Sequence, residues 1–378
     1  MRPPSMRPIF ATRLPGPPAG VRAEIPGFEG VRLTIEEAED SLVAAADRLA
    51  LPQSGDSTEP FNILAISGGA AGGAFGAGVL VGLTQAQARP RFAIVTGVST
   101  GALMAPFAFL GSAWDDRLTQ AYTGGYAAGV LSLKRLAPTL SGGVFGPAAL
   151  ESLIVPFVDQ AVMVAVAQEH ARGRRLLVTT TDLDRQTTCM WDMGEIAARG
   201  GEAALALFRN ILAASASMPG LFPPCRFQVE ADGVAYEEMH VDGGVSAPLF
   251  IMPEALLRWK NLGGRLGHGQ IYVIVNTVLE QAPRTTRGNL ASILIRSFDT
   301  MLRFSYRNAL SNAATFCAAN GLPLSATAIL DDPANGHMLS FDTASMRRIF
   351  DVAVERARSG RLWATPTAGT LWTEPNGG

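Results

Sequence analysis

The sequence predicts an α/β fold, a three-layer sandwich in which a mostly parallel central sheet carries helices on both faces. Three observations predict it. Short apolar runs of buried-strand length recur at Asn62–Ile66, Phe92–Val95, Arg174–Thr181 and Gln270–Thr277. Strand-like runs alternate with helix-length stretches, the pattern of a parallel sheet covered on both sides. Finally, 378 residues at 48% hydrophobic and 17% charged are enough for one large core.

The elements follow in order. Residues 1–60 read as an N-terminal extension: a Pro-rich lead, a capping box at Thr34-x-x-Glu37 opening a helix to about Leu49, then a polar linker from Pro52 to Pro60. The core is expected over 61–253. Its first strand, Asn62–Ile66, runs into Ser67-Gly68-Gly69-Ala70-Ala71-Gly72-Gly73, and a helix follows over Ala74–Leu83. The run at Phe92 leads through Gly97-Val98-Ser99-Thr100-Gly101 into another apolar helix. Residues 115–130 are polar and contain glycine, and 131–147 are rich in loop formers. Ala148–His170 reads as helical with a break at Pro156. A strand at Arg174–Thr181 turns at Asp182–Gln186 and pairs back over Thr187–Trp191. A helix spans Glu202–Ala214, ended by the rigid segment Ser215–Pro224. Strands at Phe227–Val229 and Ala235–Val241 precede Asp242-Gly243-Gly244. Residues 254–378 are expected to complete the same domain with a strand at Gln270–Thr277 and helices at Leu290–Asn320 and Thr343–Arg358.

Composition narrows the function. A net charge of −2 leaves no basic footprint for nucleic acid. The three cysteines and four histidines are scattered, without the spacing of a metal site or a disulfide framework, so no metal and no cofactor is expected. The first twenty residues lack the apolar core of a signal peptide. Two stretches, Phe61–Ala88 and Phe92–Trp114, are uncharged, and the first holds seven glycines between Gly68 and Gly82 with G-x-x-x-G spacing. Such Gly-rich runs make poor isolated helices and divide naturally into strand, loop and helix, which argues against a spanning segment. The expected location is cytoplasmic or peripheral to a membrane.

Three stretches carry chemistry. In G-x-S-x-G, Gly97 and Gly101 permit a turn so sharp that flanking side chains would clash, and Ser99 projects at the N-terminus of the next helix, where negative charge is favoured. The loop Gly68–Gly73 is a cradle of backbone N–H groups. It lacks the third glycine and the downstream acid of a dinucleotide site, and no Asp or Glu occurs between Glu59 and Asp115. It also lacks the Gly-Lys-Ser/Thr of a P-loop. An oxyanion hole and plain strand–helix packing remain. Asp242-Gly243-Gly244 is either a positioned acid at a strand end or an ordinary turn. His240, two residues earlier, is either a third catalytic member or a partly exposed strand-end histidine. Arg296, Arg303 and Arg307 lie on a helix that either rests on an anionic membrane or packs on the sheet.

Together, and in this order, these motifs resemble the patatin-like phospholipase family: Gly68–Gly73 matches its glycine-rich loop, Gly97–Gly101 its G-x-S-x-G, and Asp242–Gly244 its D-G-G/A. Ser215–Pro224 resembles the segment that precedes the acid. The resemblance implies a patatin-like fold and a Ser–Asp dyad, with Ser99 as nucleophile and Asp242 as base. It also implies oxyanion N–H groups on Gly68, Gly69, Ala70 and Ala71, with Gly73, Gly97, Gly101, Gly243 and Gly244 as motif glycines. The implied function is a lipid acyl hydrolase working through an acyl-enzyme on a lipid or acyl-ester substrate, with peripheral membrane contact. The alternative is a lipid-binding scaffold on the same fold with weak or no turnover. Two departures matter. Ala70 replaces a glycine and still donates its N–H if its φ is negative. Gly72 stands where the family commonly has Lys or Arg, which weakens the case for a phosphate headgroup more than for an ester.

Overall fold

The computed structural model describes residues 13–33, 60–131, 144–146, 148–250, 269–280, 285–330 and 340–367. The elements among them, in chain order, are β1 (Arg32–Leu33), β2 (Asn62–Ile66), α1 (Gly73–Gln85), β3 (Phe92–Val98), α2 (Thr100–Leu110), α3 (Asp115–Thr123) and α4 (Tyr126–Val130). There follow α5 (Ala148–Ile154), α6 (Gln160–Ala171), β4 (Arg175–Asp182), β5 (Thr187–Asp192), α7 (Met193–Arg199) and α8 (Gly201–Ser215). The last are β6 (Cys225–Ala231), β7 (Val234–Asp242), β8 (Ile271–Val278), α9 (Leu290–Asn320), β9 (Leu324–Ile329) and α10 (Thr343–Arg358). The helix expected over 34–49 lies outside the described residues, as does most of 131–147.

One sheet holds the strands in the order β1-β5-β4-β3-β2-β8-β9, with β7 on β4 and β6 on β7. The five central strands, β4 to β9 along this path, are parallel. The flank made by β1, β5, β6 and β7 is antiparallel. Every residue of β2 and β3 is buried, as expected of parallel strands covered on both faces. Alternate side chains divide between two cores. Leu64 and Ile66 join α1, α2, α8 and α10 on one side, while Ile63 and Ala65 meet Leu302, Tyr306 and Leu310 of α9 on the other. The sheet is therefore the middle of three layers.

The glycine pattern of α1 has a packing explanation. A side-chain carbon on Gly78 would stand 2.3 Å from the Phe350 carbonyl, and one on Gly82 would stand 2.7 Å from that of Val354. These glycines let α10 close onto α1 backbone to backbone. No helix among the described residues is long and apolar enough to cross a membrane.

Several elements go beyond the sequence expectations, among them α3 and α4 within the polar stretch 115–130, β9 and α7. The short β9, LSATAI, is built largely of small residues with little strand preference, and it is made a strand by the parallel edge that β8 offers it. Helix α7 is a single short segment capped by Asp192, whose side chain accepts the Glu195 N–H.

The step that matters for function is at β4. Its first half pairs with β3 as far as Val98↔Thr179, where β3 ends. From Thr180 onward the vacated edge is taken by β7 arriving antiparallel, with Thr180↔Asp242. The residue after β3 and the last residue of β7 therefore meet end to end beside β4. Those residues are Ser99 and Asp242.

Candidate active site

Ser99 sits at φ 56°, ψ −126°, a conformation that side chains other than hydrogen rarely adopt. The close packing expected of its glycines is present. An added carbon at Gly97 would stand 2.6 Å from the Gly101 carbonyl oxygen, and one at Gly101 would stand 2.4 Å from that of Ile66. The N–H of Ser99, an orphan at the start of α2, donates to Ser215 Oγ at 3.0 Å. Its hydroxyl donates to Asp242 Oδ2 at 2.6 Å.

Asp242 is 5% exposed. Its other carboxylate oxygen accepts the Gly244 N–H at 2.7 Å, and its own N–H donates to the Ser217 carbonyl at 3.0 Å. Burial pushes its pKa up to about 6, against the hydrogen bonds from Ser99 and Gly244 that favour the carboxylate. Gly243 has no room for a side chain, because an added carbon would lie 2.4 Å from the Thr179 carbonyl oxygen. The segment from Ser215 to Ser217 thus holds the serine through one residue and the acid through another. The sequence singled this segment out only by resemblance, and its two hydrogen bonds depend on tertiary contact.

The glycine loop is pinned by a residue that sequence reasoning missed. Asn276, fully buried in β8, donates from Nδ2 to the Ser67 carbonyl at 2.8 Å and accepts the Gly76 N–H at 3.0 Å. Carbons added at Gly69 or Gly72 would lie 2.1 Å from its backbone oxygen. This explains the missing basic residue, since position 72 lies flat against β8 and leaves no exit for a long side chain. The condition set for Ala70 is not met. Its φ is +50°, in the left-handed region, because the loop must reverse at Gly69 (φ 149°) to enter the short 3₁₀ turn at Ala70–Gly72. An alanine there costs about 1 kcal/mol. Ala70→Gly is expected to raise the unfolding midpoint slightly, by less than that cost once the added chain entropy of glycine is set against it. Denaturant unfolding checks this, and a lower midpoint would mean that the loop does not hold this conformation.

An apolar pocket of about 70 Å³ opens at the serine. Gly68, Gly69, Ala70, Ser99, Asp242 and Gly244 form its polar end, and leucines 103, 131, 150, 153 and 221 with Phe222 line the rest. Ala71 is in the core behind the wall, and Gly73 packs against Thr100 at the base of α2. The Gly68 N–H is directed to the Pro248 carbonyl at 3.4 Å. A wider basin of about 790 Å³, lined by Arg89, Arg91, Arg172 and Arg174, lies at the start of β3, the end of that strand remote from Ser99. Its arginines are engaged with Asp115 and Glu169.

His240 is not part of this group. It is fully buried rather than partly exposed, because β6 pairs across it at Cys225. Its ring meets Thr180 Oγ1 at 2.8 Å and Glu238 Oε2 at 3.3 Å, between Trp191 and Phe227. With Asp182 and Glu238 it forms a trio close enough for a metal. The chemistry of the trio does not fit one. The Arg32 guanidinium already neutralises Glu238, and an Asp182 oxygen accepts the N–H groups of Asp184 and Arg185. Arg296 and Arg303 of α9 serve the fold. Arg303 donates to the carbonyls of Val278 and Glu280, and both Arg296 and Arg303 pair with Asp299.

The sequence profile of the patatin-like phospholipase family matches residues 64–254. No curated protein sequence matches the chain. Among solved structures, VipD from Legionella pneumophila is similar at 11% identity and a TM-score of 0.35, over 80% of this chain and 67% of its own. Human GIVD cytosolic phospholipase A2 is similar at 13% identity and a TM-score of 0.36, over 91% of this chain and 64% of its own. The chain therefore spans about two thirds of the length of each.

Proposed function

The chain belongs to the patatin-like phospholipase family, a family of lipid acyl hydrolases, and from that premise we propose that it cleaves fatty-acyl esters through Ser99 and Asp242. The observation that carries this reading is the 2.6 Å hydrogen bond from the Ser99 hydroxyl to the buried Asp242 carboxylate. As Ser99 Oγ attacks the ester carbonyl, its proton passes to Asp242. A carboxylate whose pKa is lifted to about 6 is a better acceptor than an ordinary one. The charge on the carbonyl oxygen faces the Gly69–Ala70 part of the loop and the N-terminus of α2. The intermediate collapses, the C–O bond to the alcohol breaks, and the alcohol leaves with the proton from Asp242. Water, deprotonated by the same carboxylate, then releases the acid from Ser99.

Intact-mass analysis after fluorophosphonate treatment tests this. Labelling of wild type, but of neither Ser99→Ala nor Asp242→Asn, is the expected result. Labelling that spares only Ser99→Ala keeps the nucleophile and removes Asp242 as its base. A folded wild type that takes no label overturns the hydrolase and leaves the lipid-binding alternative, which the left-handed Ala70 and the engaged Gly68 N–H favour.

The lipid surface is assigned to α9. Leu290, Leu294, Met301 and Phe304 are 58–71% exposed and, with Ile293, fall on one stripe of the helix, opposite the buried Tyr306 and Leu310. The same helix lines the pocket with Phe298 and Leu302. Apolar side chains beside a lipid-hydrolase pocket suit insertion at the headgroup boundary. Met301→Asp with Phe304→Asp is expected to cut hydrolysis of vesicle lipid at least about 10-fold while leaving a water-soluble short-chain ester unaffected. Equal loss on both substrates would remove the docking role.

A further inference from the structure

Tyr306 is the side chain at this site that the three motifs do not account for. It lies on α9, outside the stretch matched by the family profile. Phe298, Leu302 and Tyr306 follow at four-residue spacing, so one face of the helix reaches the pocket three times. The Tyr306 ring is 2% exposed and packs in the core with Leu302 and Leu310. Its hydroxyl points the other way. The place where a side-chain carbon on Gly68 would stand lies 3.0 Å from that oxygen, 3.1 Å from Ser99 Cβ and 3.7 Å from Ser99 Oγ. The phenol, the nucleophile and the glycine loop thus surround one small volume.

Tyr306 lines the pocket, and among the described residues no hydrogen bond to its hydroxyl is found. A phenol so placed normally has a partner. Burial and the negative charges of Asp242 and Asp299 hold the phenol well above its ordinary pKa. This favours the protonated phenol, which can donate a hydrogen bond. The hole opposite has a place for it, since the Gly68 N–H is directed to Pro248 O.

We propose that the Tyr306 hydroxyl donates a hydrogen bond to the carbonyl oxygen of the bound ester and strengthens it as that oxygen becomes the tetrahedral oxyanion. This rests on the acyl-hydrolase reading of Ser99 and Asp242. No proton is transferred from the phenol. The proton released by Ser99 goes to Asp242, and Tyr306 supplies only the donor dipole. Tyr306 is on this account a third kind of donor in the hole, beside the loop amides and the α2 terminus.

The test is Tyr306→Phe, which keeps the packed ring and strands no protein partner. The expected result is a kcat lower by about 100-fold with KM changed less than about threefold, at an unchanged melting midpoint. Affinity for a fatty trifluoromethyl ketone, which adds to Ser99 as an oxyanion, should fall by the same factor as kcat. A kcat and ketone affinity within threefold of wild type overturn the proposal, and so does a loss confined to KM. A second variant guards against a folding artefact. Fluorotyrosine placed at 306 keeps both the ring and the hydroxyl donor, so its kcat should stay within about threefold of wild type where Tyr306→Phe loses it. A fluorotyrosine enzyme as slow as Tyr306→Phe overturns the proposal. Failure of the underlying reading is distinguishable, because folded wild type would then take no fluorophosphonate label at all.

Discussion

Ser99→Ala and Asp242→Asn should each lower turnover of an acyl ester by about 10⁴-fold or more, and the double variant should be hardly worse than either. The non-additivity follows from the geometry. The two side chains share one proton across 2.6 Å, so removing either end disables the same step. Asp242 also sets the pH dependence. Only its carboxylate form accepts the proton, so kcat/KM should rise with pH and reach half its plateau near 6, where burial has moved the group. Stability runs the opposite way. The folded-state pKa lies above the value near 3.9 of an unfolded aspartate, so the native state binds the proton more tightly. The advantage of the protonated form is complete below about pH 4 and is lost as pH rises through about 6. Asp242→Asn removes that cost, on the order of 3 kcal/mol at neutral pH. Thermal melts of this variant and wild type should therefore diverge between pH 4 and pH 7, the inactive protein being the more stable. Equal melts across that range would mean that Asp242 is not desolvated.

The second large effect is expected at a residue that touches no substrate. Asn276→Leu leaves the Ser67 carbonyl and the Gly76 N–H buried without partners. Each such group costs about 1–3 kcal/mol. A loss of about 3–5 kcal/mol is expected in denaturant unfolding, large for a protein of ordinary stability. Activity should fall further than the folded fraction does, because the loop beside Ser99 loses its clasp on β8. Asn276→Asp sharpens the test. It keeps the acceptor for Gly76 but sets a carboxylate oxygen against the Ser67 carbonyl, so it should be destabilised at neutral pH and partly rescued in acid. A neutral Asn276→Leu variant would show that the glycines alone shape the loop.

The order of elements was legible in the sequence because periodicity and breakers act within one segment. The bounds of α9 and α10 could be read from their caps and apolar rhythm, and Gly97 and Gly101 from the turn they must make. The same local logic explains the errors. The φ of Ala70 depends on what lies behind the loop, and that is the Asn276 carbonyl, about two hundred residues away. His240 reads as a strand end until β6 covers it. In β9 the small residues carry little strand preference, and an existing edge on β8 completes it.

By itself the sequence determined the α/β layering, the serine on its turn and the acid before two glycines, since each follows from short-range sterics and burial pattern. Only the tertiary structure decided that Ser99 and Asp242 meet. The decision lies in register: β3 stops at Val98, β7 takes over the edge of β4 at Thr180, and the two chain ends are left 2.6 Å apart at their side chains. It also decided that Ser215, Asn276 and Tyr306 surround them. Hydrogen bonds and close packing across a sheet depend on which residues are brought opposite one another, and no local periodicity carries that information.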